Sequence, residues 1–249
     1  MSIQDALAAH HRSAPAPQPA QKSRAAISIG NAGTLGEAVL ARLLSAPHYK
    51  RVHVATTMPM RTSAPRLSSV DYADLAAAQS WPMPANENEH ITDAVLIVGG
   101  QHSYFRRDNA FPIIGEEDAI ALARITRENH CTRLMLIAPM SAWTAMTLGG
   151  LAHFDELERA IGAMGFETLV VVRPAAHAQS RTAGNWIAQI ADALLSTLTQ
   201  YMTSASRQPL RAQIVAQAAV DWFTHLPPGH HRQDATVLYE WLEKRKQPA

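Results

Sequence analysis

Residues 27–36 read Ile27-Ser28-Ile29-Gly30-Asn31-Ala32-Gly33-Thr34-Leu35-Gly36, an apolar run closed by three glycines spaced three apart. The stretch that follows, EAVLARLL, has helical periodicity. A strand, a glycine turn and a helix in that order bring free N–H groups and the positive end of a helix to one point, the arrangement a pyrophosphate needs. Gly30 suits the tight turn, Gly33 lets backbone approach phosphate oxygens, and Gly36 lets the helix lie close to the strand. With Asn31, Thr34 and Leu35 these residues form the candidate cradle. The spacing is Gly-x-x-Gly-x-x-Gly rather than the commoner Gly-x-Gly-x-x-Gly, and a glycine turn kept only for packing is the alternative.

Outward from the turn, short β-branched runs alternate with longer helix-periodic segments, the pattern of a parallel sheet covered by helices. Strands are predicted at Ala25–Gly30, Val52–Thr56, Ala94–Gly99, Leu134–Ala138 and Thr168–Arg173, with weaker signals near Leu67–Asp71 and Ala235–Leu238. Most are nearly continuous apolar runs, as strands buried on both faces should be. Helices are predicted at Leu35–Ser45, Tyr72–Ser80, Glu116–Asn129, Gly150–Met164, Asn185–Met202 and Leu210–His225. The expected fold is α/β: a doubly wound parallel sheet of Rossmann type, helices on both faces and a small helical lobe at the C-terminus. Residues 1–24 read as a flexible tail with one short helix at Ile3–Ala9, and residues 25–249 as a single domain.

Of 249 residues, 47% are hydrophobic and 17% charged, below the roughly 25% charged of an average soluble chain. That excludes a disordered or fibrous protein. Lys plus Arg (22) nearly balance Asp plus Glu (21), with no basic block, so nucleic acid is not the expected partner. The single cysteine, Cys131, cannot form an internal disulfide and points to a reducing, cytoplasmic setting. The first residues lack the apolar core of a signal peptide, and no run approaches the ~18 apolar residues of a membrane span. The pairs His10-His11 and His230-His231 are adjacent rather than at i, i+4, so no metal site is expected. No Gly-x-Ser-x-Gly elbow or P-loop Lys-Ser/Thr ending is present, which argues against a hydrolase and an ATPase.

Some 20 residues beyond such a glycine turn, NAD-binding folds place an acid on the adenosine ribose. Between Glu37 and Asp71 this chain has no Asp or Glu, but it has Arg42, Lys50, Arg51, Arg61 and Arg66, with Thr56 and Thr57 at the predicted strand tip. Guanidinium groups fork onto phosphate oxygens, so NADP(H) is favoured over NAD(H), with Arg61 and Thr56 as the candidate contacts. Solvated loop arginines are the alternative for each residue. The apolar positions Trp186, Ile187, Ile190, Leu194, Leu195 and Leu198 lie near helical spacing and suit packing on the domain, or a homodimer or protein partner.

In this order of segments the chain resembles the atypical short-chain dehydrogenase/reductase family, the small NAD(P)H-binding branch, from about Ala25 to Trp241. Beyond the glycine turn the resemblance rests on Asp71, VLIVGG at Val95–Gly100, FRRDNAF at Phe105–Phe111, ELERAIGAMGFETLVVVRPA at Glu156–Ala175 and RQPLRAQIVAQAAVDW at Arg207–Trp222. It implies that Asp71 contacts adenine, that Gly99 lies at the cofactor crevice, and that the loop after Pro174 approaches the nicotinamide. It also implies a Ser at a strand end and a Tyr-x-x-x-Lys pair for proton transfer. Those positions fall on Ala138 or Pro139, Gly150 and Phe154, and no Tyr or Lys occurs anywhere in residues 134–165. Two functions follow. One is a nucleotide-binding sensor or assembly partner without the usual catalysis. The other is an NADPH-dependent oxidoreductase on a small carbonyl or quinone, with His153, His102 or Tyr104 as a non-standard proton donor.

Overall fold

The computed structural model describes residues 24–60, 64–78, 81–82, 90–99, 110–139, 148–175 and 210–246, with backbone alone for 148–154 and 246. The elements are β1 (Arg24–Ile29), α1 (Gly33–Ser45), β2 (Tyr49–Thr56), β3 (Leu67–Asp71), α2 (Tyr72–Ala76), β4 (His90–Ile97), α3 (Glu116–Glu128), β5 (Arg133–Ile137), α4 (Leu148–Gly162), β6 (Thr168–Arg173), α5 (Ala212–His225), β7 (Gly229–Asp234) and α6 (Ala235–Lys246). All seven strands form one parallel sheet in the order β3-β2-β1-β4-β5-β6-β7. The order reverses at β1, which pairs with β2 on one side (Ile27 against His53) and with β4 on the other (Ile27 against Ala94).

The inner strands are largely apolar because helices cover both faces, whereas the edge strands β3 and β7 are polar. On one face Ile27, Ile29, Leu96, Leu134, Leu136 and Val171 pack with Leu122 of α3 and Leu157 and Ile161 of α4. On the other, Val52, Val54, Val95, Met135 and Val170 pack with Val39 and Leu43 of α1 and Val220 and Phe223 of α5. The sheet is therefore doubly wound, as the alternation of runs predicts.

One strand lies elsewhere than expected. Residues 235–238 are the first turn of α6, and the strand is the preceding Gly229–Asp234, whose Asp234 carboxylate caps that helix by accepting from the Thr236 and Val237 amides. The C-terminal part of the chain thus supplies a sheet strand as well as helices. The expected tail, its short helix, and the helix at residues 185–202 lie outside the described residues, except that Arg24 already belongs to β1.

Candidate functional site: the glycine turn and its surroundings

In a doubly wound sheet, ligands bind beyond the C-terminal ends of the strands where the strand order reverses, here above β1 and β4. The glycine turn sits at that point. Gly30 (φ +86°) and Gly33 (φ +76°) hold left-handed backbone that side-chain-bearing residues rarely adopt. A Cβ on Gly30 would stand 2.2 Å from the Ile97 carbonyl oxygen of β4, and one on Gly36 would stand 2.4 Å from the Asn31 carbonyl oxygen. Glycine is thus required at both positions. Asn31 is fully buried and its amide donates to the Gly36 carbonyl at 3.1 Å, tying the turn to the first helical turn.

Helix α1 begins without a side-chain cap at Ala32 and without an acid in its first turn. Thr34 is exposed and Leu35 half-buried beside it. Most helices satisfy these first N–H groups with a Ser, Thr or Asp cap. Here no side chain caps them and no acid lies in the first turn. Among the described residues, this cradle fits a phosphate or pyrophosphate.

The expected base-edge contacts fare unevenly. The Thr56 hydroxyl is buried and donates to the Val70 carbonyl at 3.3 Å, so it serves the β2–β3 pair rather than a ligand. Asp71 closes β3 and caps α2, its carboxylate accepting from the Ala73 amide at 2.8 Å. It also lines a cavity of about 280 Å³ with His53, Ser68, Trp81 and Pro82. The basic interval is not one surface. Arg42 pairs with Asp221 at 3.0 Å, Arg66 donates to the Ala46 carbonyl at 2.7 Å, and Lys50 and Arg51 begin β2, at the opposite end of the sheet from the turn. Arg61 lies outside the described residues, as do His102 and Tyr104.

On the catalytic side, Ala138 extends the β5–β6 ladder through its N–H to the Val172 carbonyl at 3.0 Å and brings no hydroxyl there. Gly150, His153 and Phe154 fall on α4, in the part described by backbone alone. Pro174 follows β6 and borders a small hollow with Leu210, Val215, Leu238 and Tyr239.

Two features were not anticipated. Beneath α4, the buried Arg173 guanidinium meets Glu158 and, at 3.2 Å, Asp155, and the same carboxylates receive Arg232 of β7 at 3.3 Å and His230 at 3.0 Å. The signal was an arginine ending an otherwise apolar strand, with acids at i and i+3 on the facing helix. The second is residues 110–114. The Thr57 N–H, just past β2, donates to the Ala110 carbonyl at 2.8 Å, and the Gly99 N–H, just past β4, donates to the Ile114 carbonyl at 2.9 Å. Ile114 is fully buried, its Cγ1 3.1 Å from where a Gly30 Cβ would stand, and Phe111 packs with the α1-side core. Gly99 takes φ +78°, so the chain bends there.

Strand order, glycine turn and uncapped helix together define the architecture. The fold is Rossmann-type. No protein-family model matches the chain, and no curated protein matches it. Solved structures do. A nucleoside-diphosphate-sugar epimerase from Staphylococcus aureus is 12% identical, with a TM-score of 0.49 over 84% of this chain and 70% of that one. The triphenylmethane reductase of a Citrobacter species, solved with NADP(H), is 13% identical, with a TM-score of 0.48 over 84% and 68%. The Bordetella bronchiseptica enzyme WbmG, solved with NAD, is 15% identical, with a TM-score of 0.47 over 92% and 80%. The likeness is one of general arrangement. Among the described residues no helix is long and apolar enough to cross a membrane, and no group of three or more His, Cys, Asp or Glu is placed to hold a metal ion.

Proposed function

We propose that the chain binds a nicotinamide dinucleotide at the glycine turn, NADP(H) in preference to NAD(H), and works as a nucleotide-dependent sensor or assembly partner rather than by tyrosine–lysine catalysis. The observation that carries this reading is the cradle: two glycines in left-handed backbone, two that exclude any Cβ, and an uncapped, acid-free helix start at the point where the strand order reverses. The pyrophosphate is the group of that ligand whose charge matches the helix end, and the uncapped amides beyond Gly33 support that reading.

A bound nicotinamide supplies hydride chemistry, and the protein's part is to orient it and manage the proton. For the proton this chain offers little at the family positions. Ala138 has no hydroxyl, Gly150 no side chain, and Phe154 no charge. The preference for NADP(H) rests on the acid-free interval between Glu37 and Asp71 and on Arg61, since the other basic residues there are engaged or lie at the far end of the sheet.

The test is a fluorescence titration with NADPH and NADH, repeated with Arg61→Ala, followed by turnover assays with quinones and aldehydes. Saturable binding, tighter for NADPH and weakened toward the NADH value by Arg61→Ala, is expected, without consumption of NADPH. Sustained oxidation of NADPH abolished by His153→Ala would instead establish an oxidoreductase. No binding of either nucleotide at millimolar concentration would end the cofactor reading.

A further inference from the structure

In a Rossmann crevice a dinucleotide runs from the turn after β1, where its pyrophosphate sits, toward the end of β2, where its adenosine ribose is held. Residues 110–114 follow the same course in the opposite direction. They start against Thr57 at the end of β2 and finish at Ile114, seated between Gly99 and Gly30 at the ends of β4 and β1. The Gly99 N–H, which would otherwise face the crevice, is consumed by the Ile114 carbonyl. So is the Thr57 N–H, at the position from which a ribose is usually met.

We infer that residues 110–114 are a strap that closes the nucleotide crevice and must swing aside for a dinucleotide to bind, so that occupancy is reported as release of the strap. This rests on the dinucleotide reading above. The backbone holds the strap at its two ends, at Thr57 and at Gly99, while burial of Pro112 and Ile114 and the packing of Phe111 hold its middle; no residue of Ala-Phe-Pro-Ile-Ile is charged, and Pro112 has no N–H to donate. The strap's apolar side chains make release informative. Phe111 and Ile114, covered in the closed form, become available together with Ile113, which is already 40% exposed. An apolar segment uncovered only when nucleotide is bound is what an assembly partner reads. The cost is affinity, because only molecules with the strap open are competent, and the apparent Kd rises by the inverse of their fraction.

The experiment uses the backbone contact between Thr57 and Ala110. In the full-length protein carrying Thr57→Cys and Ala110→Cys, oxidation should staple the strap shut, while the native Cys131 is buried and takes no part. NADPH binding is measured by fluorescence before and after reduction with a phosphine. The oxidised form should bind at least ~10-fold more weakly than the same protein reduced. In the opposite direction, Ile114→Ala, which loosens the strap at the turn, should tighten NADPH binding several-fold; thermal unfolding confirms that it folds. Equal binding by oxidised and reduced forms would overturn the strap and leave the nucleotide reading standing. No binding of NADPH or NADH by wild type, the reduced double variant or Ile114→Ala would overturn the nucleotide reading, and the gate with it.

Discussion

The two ends of the sheet pair their buried polar groups differently, although the Arg133 Nε and His48 Nε2 atoms lack partners at the N-terminal end too. At the N-terminal ends of β2, β4 and β5, the fully buried Asp93 carboxylate accepts from the Tyr49 hydroxyl at 2.7 Å and the Thr92 hydroxyl at 2.9 Å. The Cys131 thiol donates to the Ile91 carbonyl at 3.3 Å, and Arg133 stacks 4.9 Å from the Phe223 ring while donating to the Phe223 carbonyl. At the C-terminal ends, the buried Ser28 hydroxyl and the Asn31 amide oxygen lack hydrogen-bond partners, and the first amides of α1 are uncapped. Buried polar groups are normally satisfied, and departures concentrate where a fold does something other than hold itself together. One end of this sheet is closed around a paired buried carboxylate, and the other leaves the start of α1 uncapped beside residues 110–114.

Substitutions should separate the two. The largest effect is expected from Gly30→Ala, which forces a Cβ onto the Ile97 carbonyl in left-handed backbone; roughly 3–5 kcal/mol of stability should be lost in urea unfolding. Survival of the wild-type midpoint would mean that the turn is less constrained than its geometry requires. Asp93→Ala, which strands the buried Tyr49 hydroxyl and the half-buried Thr92 hydroxyl at the closed end, should cost about 3 kcal/mol while leaving the nucleotide Kd of the folded protein unchanged. A change in Kd would show that the two ends are coupled.

The closed end also sets a pH dependence. Burial lifts the Cys131 thiol to about 12 and the Tyr49 phenol well above its usual 10. Both ionise first in the unfolded chain, so their contribution is whole below pH 9 and is lost as pH rises from 9 toward 12. The slope for one proton is about 1.4 kcal/mol per pH unit. Cys131→Ala should flatten the first part of that fall, and native Cys131 should resist iodoacetamide at pH 8. A smaller loss is expected on the acid side. Burial lowers the His48 pKa below 6.5, against the pull of Asp93 and with Arg24, His225 and Arg133 nearby. Protonation then favours the unfolded chain as pH drops below 6.5, and His48→Gln should remove this limb.

What was legible in the sequence follows the same division. Strands buried on both faces, such as LMLI in β5 and TLVVV in β6, announce themselves as apolar runs because helices on either side leave no polar face. Strand β7, Gly-His-His-Arg-Gln-Asp, was not legible, since an edge strand with polar faces carries no such run; it is held by pairing with β6 and by His230 and Arg232 against Glu158 and Asp155. The glycine turn was legible because φ and close approach demand one residue type. The basic interval was read too generously. A linear sequence does not say which end of a strand an arginine occupies, and Arg42, Lys50, Arg51 and Arg66 lie away from the turn. The strap was not legible at all, because two backbone hydrogen bonds ask nothing of the side chains that make them.

The smallest structural change offers the most direct test. Thr34 is exposed in the first turn of α1, and Thr34→Glu puts a carboxylate where helices prefer one, worth about 0.5 kcal/mol in favour of the fold. The same carboxylate occupies the anion's place and repels it. Parallel NADPH titrations of wild type and Thr34→Glu, with thermal unfolding of each, should show saturable binding by the wild type, at least ~10-fold weaker binding by the variant, and an unchanged or slightly higher Tm. Equal binding by the two proteins, or none by the wild type at millimolar NADPH, would contradict the assignment of the glycine turn as the nucleotide cradle.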